Sequence, residues 1–405
     1  MKRPILTERK HLSHAAKFTA LFAAVLFGLR LTSDAAEPVP EPQNSVVDQL
    51  FGDVPSSISG NPAADSDTPG TGLAGRLLHL PEDSGLRLGG LWLADSNLLL
   101  SGGEEPGTAS FNSALIIGAN LDAGKAIGWE GAEFGIQFLQ INVQNTNGQA
   151  GSVQGYNSLS GAPPRNRTEL YQFWYLQKLF DERVIFAVGK LAGTFAFNNV
   201  TRPVPTQDHG LAIPAVTGLL YDPVFINPTL LGALGGFYNS AYGASLSLAP
   251  TKNSYLRYGF YDGNLARGVQ TGLTGPHFNG HYFHIWEAGA DWVIADKYPG
   301  QMGAGLWYQT GRLTAGDVSQ VGTGGFYVFG GQRLWGRTSE ASEPDGKSKS
   351  VLEVGAGQDA SISAFFQFGV NDSETLRANQ YFGMGFTGFG LVPGRPADSI
   401  GLGMA

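Results

Sequence analysis

The 405-residue chain has no cysteine, which excludes disulfides, thiolate metal sites and cysteine nucleophiles. Charge is scarce as well: Asp, Glu, Lys and Arg make up 15% of residues, against about a quarter in an ordinary soluble protein. Long hydrophobic runs are missing. The one apolar stretch, Phe18 to Leu29, is too short to span a bilayer as a helix and is stopped by Arg30. In their place stand 58 glycines and an aromatic content of 11%. From Gly85 onward, segments of about ten residues alternate apolar or aromatic side chains with small or polar ones, as in a transmembrane β-barrel whose strands meet lipid on one face and a wet lumen on the other. In Gly131-Ala132-Glu133-Phe134-Gly135-Ile136-Gln137-Phe138, the residues Ala132, Phe134, Ile136 and Phe138 share one face, and Glu133 falls on the lumen side.

The N-terminus reads as a secretory signal peptide over residues 1–36. Lys2, Arg3, Arg9, Lys10 and Lys17 precede the apolar stretch, and Ser33-Asp34-Ala35 offers a small-x-small cleavage site. Cleavage removes six basic and two acidic residues, leaving 20 Lys and Arg against 32 Asp and Glu, a net charge of −12. That balance argues against nucleic acid as a partner. Residues 37–80, rich in Pro, Gly, Ser and Asp, read as an extended periplasmic leader. Residues 81–405 form one uniform barrel domain.

The alternation predicts strands over 85–97, 111–121, 131–144, 168–179, 183–191, 236–249, 253–262, 282–295, 300–312, 321–334, 360–370, 378–390 and from 398 onward. Tight turns such as Phe180 to Arg183 and Ala249 to Asn253 belong on the periplasmic side. The long connections 192–235, 263–281 and 335–359 are expected to be extracellular or folded into the lumen. The first is too long and too apolar to hang in water, which marks it as functional. Trp92, Trp129, Trp174, Trp286, Trp292, Trp307 and Trp335 are expected at the membrane interfaces. Phe134, Ile136, Phe138, Leu256, Tyr258 and Trp286 are expected to face outward.

The segment Gly390-Leu391-Val392-Pro393-Gly394-Arg395-Pro396-Ala397-Asp398-Ser399-Ile400-Gly401-Leu402-Gly403 resembles a segment of the carbohydrate-selective porins of the OprB family. So do Leu170 to Gln177 with Val188-Gly189-Lys190 after the turn, Tyr258 to Asn264, and Gly325-Phe326-Tyr327 with Gln332-Arg333-Leu334-Trp335, where Gly331 stands in place of the common Asp. The resemblance spans about residues 85–405. It implies an all-β, antiparallel transmembrane barrel in the bacterial outer membrane, of about 16 strands in the family, that passes carbohydrate solutes without a cofactor. Homo-oligomers are compatible with it. Two departures stand out: Phe51 to Pro55 and Asp83 to Arg87 only loosely echo the family's opening motif, and about 13 strands are visible before the chain stops at Ala405. An open or incomplete barrel is therefore expected, with Arg395 and Asp398 near its last turn and no ladder joining 398–405 to 85–97.

Enzymatic motifs are weak. Gly383-Met384-Gly385-Phe386-Thr387-Gly388 fits a dinucleotide fingerprint but lies in an alternating strand with no helix after it. Asp345-Gly346-Lys347-Ser348 lacks the upstream glycine of a phosphate loop. His277, His281 and His284 have ligand-like spacing, but a strand places the last two on opposite faces. Lumen-facing charges are the better candidates. The apolar phase Leu256, Tyr258, Phe260 turns Arg257 inward, and His284, Trp286, Ala288 turns Glu287 and Asp291 inward; these charges either satisfy one another across the wall or hydrogen-bond sugar hydroxyls. Glu133, Asp262 and Arg333 complete the charged pore-lining set, and the resemblance adds Lys190. Phe195, Phe197, Tyr221 and Phe225 are the aromatic candidates for stacking on a sugar ring. Two rivals remain: a secreted carbohydrate-binding β-sandwich, with a closed apolar core, and a barrel-embedded hydrolase, with Ser, His and carboxylate together at the rim.

Overall fold

In the computed structural model the described residues are 72–405, leaving aside 82, 153–156, 158, 160–163, 199–226, 231, 236–238, 252, 270–271, 273, 296–297, 337–359, 394 and 396–398, and all belong to the unit Gln43–Ala405. The expected signal peptide and most of the leader lie outside them. Thirteen strands pair in chain order as one antiparallel sheet. They are β1 (Leu86–Leu98), β2 (Ala109–Asp122), β3 (Ala132–Asn142), β4 (Asn166–Leu179), β5 (Val184–Leu191), β6 (Ala241–Thr251), β7 (Ser254–Asp262), β8 (Tyr282–Ile294), β9 (Tyr298–Ala315), β10 (Val318–Gly336), β11 (Ser361–Asn371), β12 (Gln380–Phe389) and β13 (Ser399–Met404). Every expected strand is present, because the period-2 pattern commits one face of each to burial and so fixes its phase. Among the described residues β13 pairs with β12 and β1 with β2, and no ladder joins β13 to β1. The sheet is open, as the strand count implied. One sheet rather than two sets aside the sandwich.

Strict up-and-down order assigns each connection to an end. The β2–β3, β4–β5, β6–β7 and β8–β9 connections share the turn end, and the β1–β2, β3–β4, β5–β6, β7–β8 and β11–β12 connections share the loop end. This corrects the extracellular half of the expectation for 335–359. β10 leaves the loop end after the short Ala315 to Val318 turn and arrives at the other, so Gly336 and Ser361 both lie at the turn end, while 337–359 between them lie outside the described residues.

The outward phase is apolar and exposed at Phe111, Ile117, Phe138, Phe173, Leu256 and Trp286. Phe134, Ile136 and Tyr258 share that phase and are half-buried. Phe134 packs among Trp129 and Tyr175 near the turn end, with ring centroids 5.2–5.9 Å apart. Near the loop end Phe260 stacks on Phe278 and Tyr282 at 5.5 and 5.8 Å. Aromatic bands at both rims are what a barrel needs at its two membrane interfaces.

The inward phase is drier than a porin lumen would suggest. Trp174, Tyr261, Phe283, Trp307, Tyr327, Phe329 and Phe365, from β4 and β7 to β11, form one buried cluster with Phe197, Leu230, Ala233 and Leu234 of the β5–β6 connection. The described parts of that connection thus pack on the inner wall. Trp174 and Trp307 are corrections to the expected membrane girdle: both are buried inside, each lying where a Cβ on Gly135 or Gly325 would collide with it.

Candidate functional site

The inner wall is organised by cross-strand rows. One row runs Ser247, Arg257, Glu287, Gly305, Tyr327, Gly369 across β6 to β11, each residue opposite the next. At its centre is Glu287, only 2% exposed. Tyr255 donates its hydroxyl to Oε1 at 2.8 Å, and Tyr327 donates to Oε2 at 2.6 Å. The backbone N–H of Asn198 completes the set, 2.6 Å from Oε2. A buried carboxylate is tolerable only when its oxygens are met in this way.

Two glycines let the tyrosines reach it. Tyr255 is paired with Gly289 and Tyr327 with Gly305, and a Cβ on either glycine would stand 2.2–2.3 Å from the facing ring. Each ring tip occupies the space over the bare glycine opposite, and its hydroxyl reaches Glu287 on the same wall. Arg257 donates Nε to Ser247 Oγ at 2.8 Å, and its Cζ lies 5.7 Å from the Phe197 ring centroid and 5.2 Å from that of Tyr255. Phe197 also meets Tyr261 edge-on at 6.5 Å. Asn198 follows with φ +54°, a left-handed turn that asparagine tolerates better than most residues, and Gly193 to Phe195 form a 3-10 turn before it.

Of the predicted site residues, Arg257, Glu287 and Phe197 come together. The side chain of Phe195, like Tyr221 and Phe225, lies outside the described residues. Asp291 is inward and buried opposite Gln301, four residues nearer the turn end than Glu287. Arg333 is half-buried on β10, six residues from Tyr327 and so about 20 Å along the strand. Glu133 sits near the turn end in a 3.0 Å ion pair with Lys178, which also holds Glu182 at 3.2 Å. Asp262 is buried at the end of β7, accepting from Asn264 N at 3.0 Å and His277 N at 2.7 Å, and so fastens the β7–β8 loop. Lys190 is fully buried: its ammonium donates to Leu170 O and, at 2.7 Å, to Gly272 O, with Glu169 Oε2 at 3.9 Å. A bulge at Tyr171 on β4, where register jumps between Gln137/Gln172 and Phe138/Leu170, opens the backbone beside it. His284 faces outward and shares a 2.9 Å hydrogen bond with the Tyr258 hydroxyl, while His281 Nε2 stands 3.2 Å from Arg312 O.

The sequence profile of the carbohydrate-selective porins, OprB family, matches residues 108–405. The chain belongs to this family. Its members are outer-membrane β-barrels of Gram-negative bacteria, and they are channels. Porin B of Pseudomonas aeruginosa is 23% identical over 334 residues, covering 76% of this chain and 66% of Porin B, so the chain spans just under two thirds of that relative's length. The structure of Pseudomonas putida OprB at high pH superposes with a TM-score of 0.62 at 20% identity, over 84% of this chain and 79% of that one. At that identity the likeness carries the barrel fold alone.

Sequence reasoning did not find Tyr255, Tyr327, Asn198 and Ser247. The signal for the tyrosines was present as aromatics on the polar phase, each directly opposite an inward glycine of the neighbouring strand, but it becomes legible only once strand register is known.

Proposed function

We propose that the chain is a porin through which carbohydrates diffuse passively, by binding and release without covalent chemistry or a cofactor, and that residues 1–36 direct its export. It acts as a channel and not as an enzyme, embedded in outer-membrane lipid. The observation that supports this best is the family match over 108–405 taken with a single sheet that is apolar outside and carries Arg257 and Glu287 on its inner wall under a folded-in connection. A guanidinium suits hydroxyl-rich solutes, and an aromatic face suits the C–H surface of a sugar ring. Among the described residues Arg257 Nη2 and Asn198 Oδ1 are buried without hydrogen-bond partners, a donor on the residue whose guanidinium faces Phe197 and an acceptor on the residue that follows Phe197. Glu133, Lys190, Phe195, Asp262, Asp291 and Arg333 belong to the same proposed wall, several of them as its fastenings.

The test is permeation into liposomes carrying the purified chain. Monosaccharides are expected to enter several-fold faster than amino acids of similar mass, and Arg257→Ala to shrink that preference at least twofold. Equal rates for both solute classes in the unaltered chain sink the carbohydrate reading, and an unchanged preference in Arg257→Ala removes this wall from the selective path.

A further inference from the structure

We infer that Glu287 is a positioning residue: its carboxylate latches the Gly193–Asn198 segment of the β5–β6 connection to the barrel wall, and it shapes the channel through that segment without contacting the solute. This rests on the channel reading above but goes beyond it, because a lumen carboxylate in a porin would ordinarily be taken as a solute or ion ligand. The geometry points the other way. With three donors on two oxygens and 2% exposure, Glu287 keeps little capacity for a passing hydroxyl. One of the donors belongs to the connection itself, and that contact joins residues 89 positions apart in sequence. The latch works with a second contact, the Phe197 ring held against Arg257, and the two partners sit on adjacent residues, 197 and 198. Tyr255 and Tyr327 orient the carboxylate from both sides, and the ring tip of each occupies the space over its facing glycine. The row is therefore built outward from the latch: glycines seat the tyrosines, the tyrosines aim the carboxylate, and the carboxylate receives the connection.

The absence of cysteine makes a clean reporter possible. Ala196 is half-buried against the inner cluster, so Ala196→Cys introduces the chain's sole thiol at a sheltered position beside the latch. In vesicles, the rate at which a sulfonate-bearing methanethiosulfonate labels that thiol reads attachment of the segment. With Glu287 intact labelling is slow, and adding Glu287→Ala speeds it at least tenfold. Glu287→Gln restores protection to within threefold of the intact chain, because an amide oxygen still accepts from Asn198 N and the tyrosine hydroxyls rotate to suit the amide. If Glu287→Ala does not assemble, Glu287→Asp, one methylene too short to reach Asn198, takes its place with the same tenfold expectation. A labelling rate within twofold of the intact chain for the Ala or Asp variant overturns the inference, and so does a Gln variant that labels as fast as Ala. Sugar flux is recorded in the same vesicles. A chain that passes no sugar overturns the proposed function while the thiol rates still judge the latch.

Discussion

At the scale of single residues, the inner wall is governed by what glycine leaves out. Gly305 has no side chain where the Tyr327 ring lies, and a methyl there would stand 2.2 Å from the ring. Gly305→Ala is therefore expected to push Tyr327 off Glu287, losing a hydrogen bond to a charged group and overpacking a buried site, for about 3 kcal/mol in total. Urea unfolding from lipid vesicles measures this, and a loss below about 1 kcal/mol would show that the ring can move at no great cost. Lys190 is a second case. Lys190→Met keeps the length of the side chain but removes two hydrogen bonds to backbone carbonyls and leaves Glu169 with Arg167 as its near cation. A destabilisation of about 2–3 kcal/mol follows, read in the same unfolding experiment.

At the scale of elements, the two faces of a strand answer differently to the same change. Trp286 lies near the middle of β8 on the outward phase and is exposed among apolar neighbours. Trp286→Arg sets a charge against hydrocarbon and is expected to cost about 2–4 kcal/mol, as a lipid-facing charge does near the bilayer midplane. Folding into vesicles of phosphatidylcholine checks it, and a cost below about 1 kcal/mol would place that face away from lipid. The loops respond to local hydrogen bonds instead. Asp262 caps the 3-10 turn Gly263–Arg267 through Asn264 and holds His277 and Phe278 from the far side of the same loop. Asp262→Ala should free the β7–β8 loop while sparing the ladder, so trypsin cleavage at Arg267 is expected to accelerate at least fivefold without loss of the heat-modifiable folded form. Cleavage at an unchanged rate would mean that the loop is held elsewhere, for instance by the Tyr242 hydroxyl on Thr274 O at 3.0 Å.

At the scale of the whole molecule, the sheet has two edges among its described residues, and edges set the order of opening. β9 and β10 are the longest strands and pair over most of their length, whereas β1 and β13 each have one neighbour. Amide hydrogen exchange in a membrane-mimetic environment is therefore expected to be slowest in β9 and β10 and fastest on the outer edges of β1 and β13, because unpaired backbone groups are not protected. Equal protection of β1, β13 and the central strands would require partners for those edges. In hydrocarbon an unpaired peptide group costs several kcal/mol, so the edges also govern how the sheet is accommodated in a membrane.

The sequence by itself determined the class of fold, the strands and the face of each strand that turns outward. The physical reason is local: a period of two in side-chain direction must match a period of two in polarity, and a slip of one residue would expose every apolar side chain to the wrong medium. It also determined that Arg257, Glu287 and Asp291 point inward, since each stands between outward apolar neighbours. Register, and with it the meeting of Glu287 with Tyr255, Tyr327 and Asn198, was decided by tertiary structure, because those contacts join residues 32, 40 and 89 positions apart. The bulge at Tyr171, the inward turn of Trp174 and Trp307, and the burial of Lys190 were decided there too. No periodicity encodes them: each depends on which residue of the neighbouring strand lies opposite and on whether a glycine there leaves room for a ring.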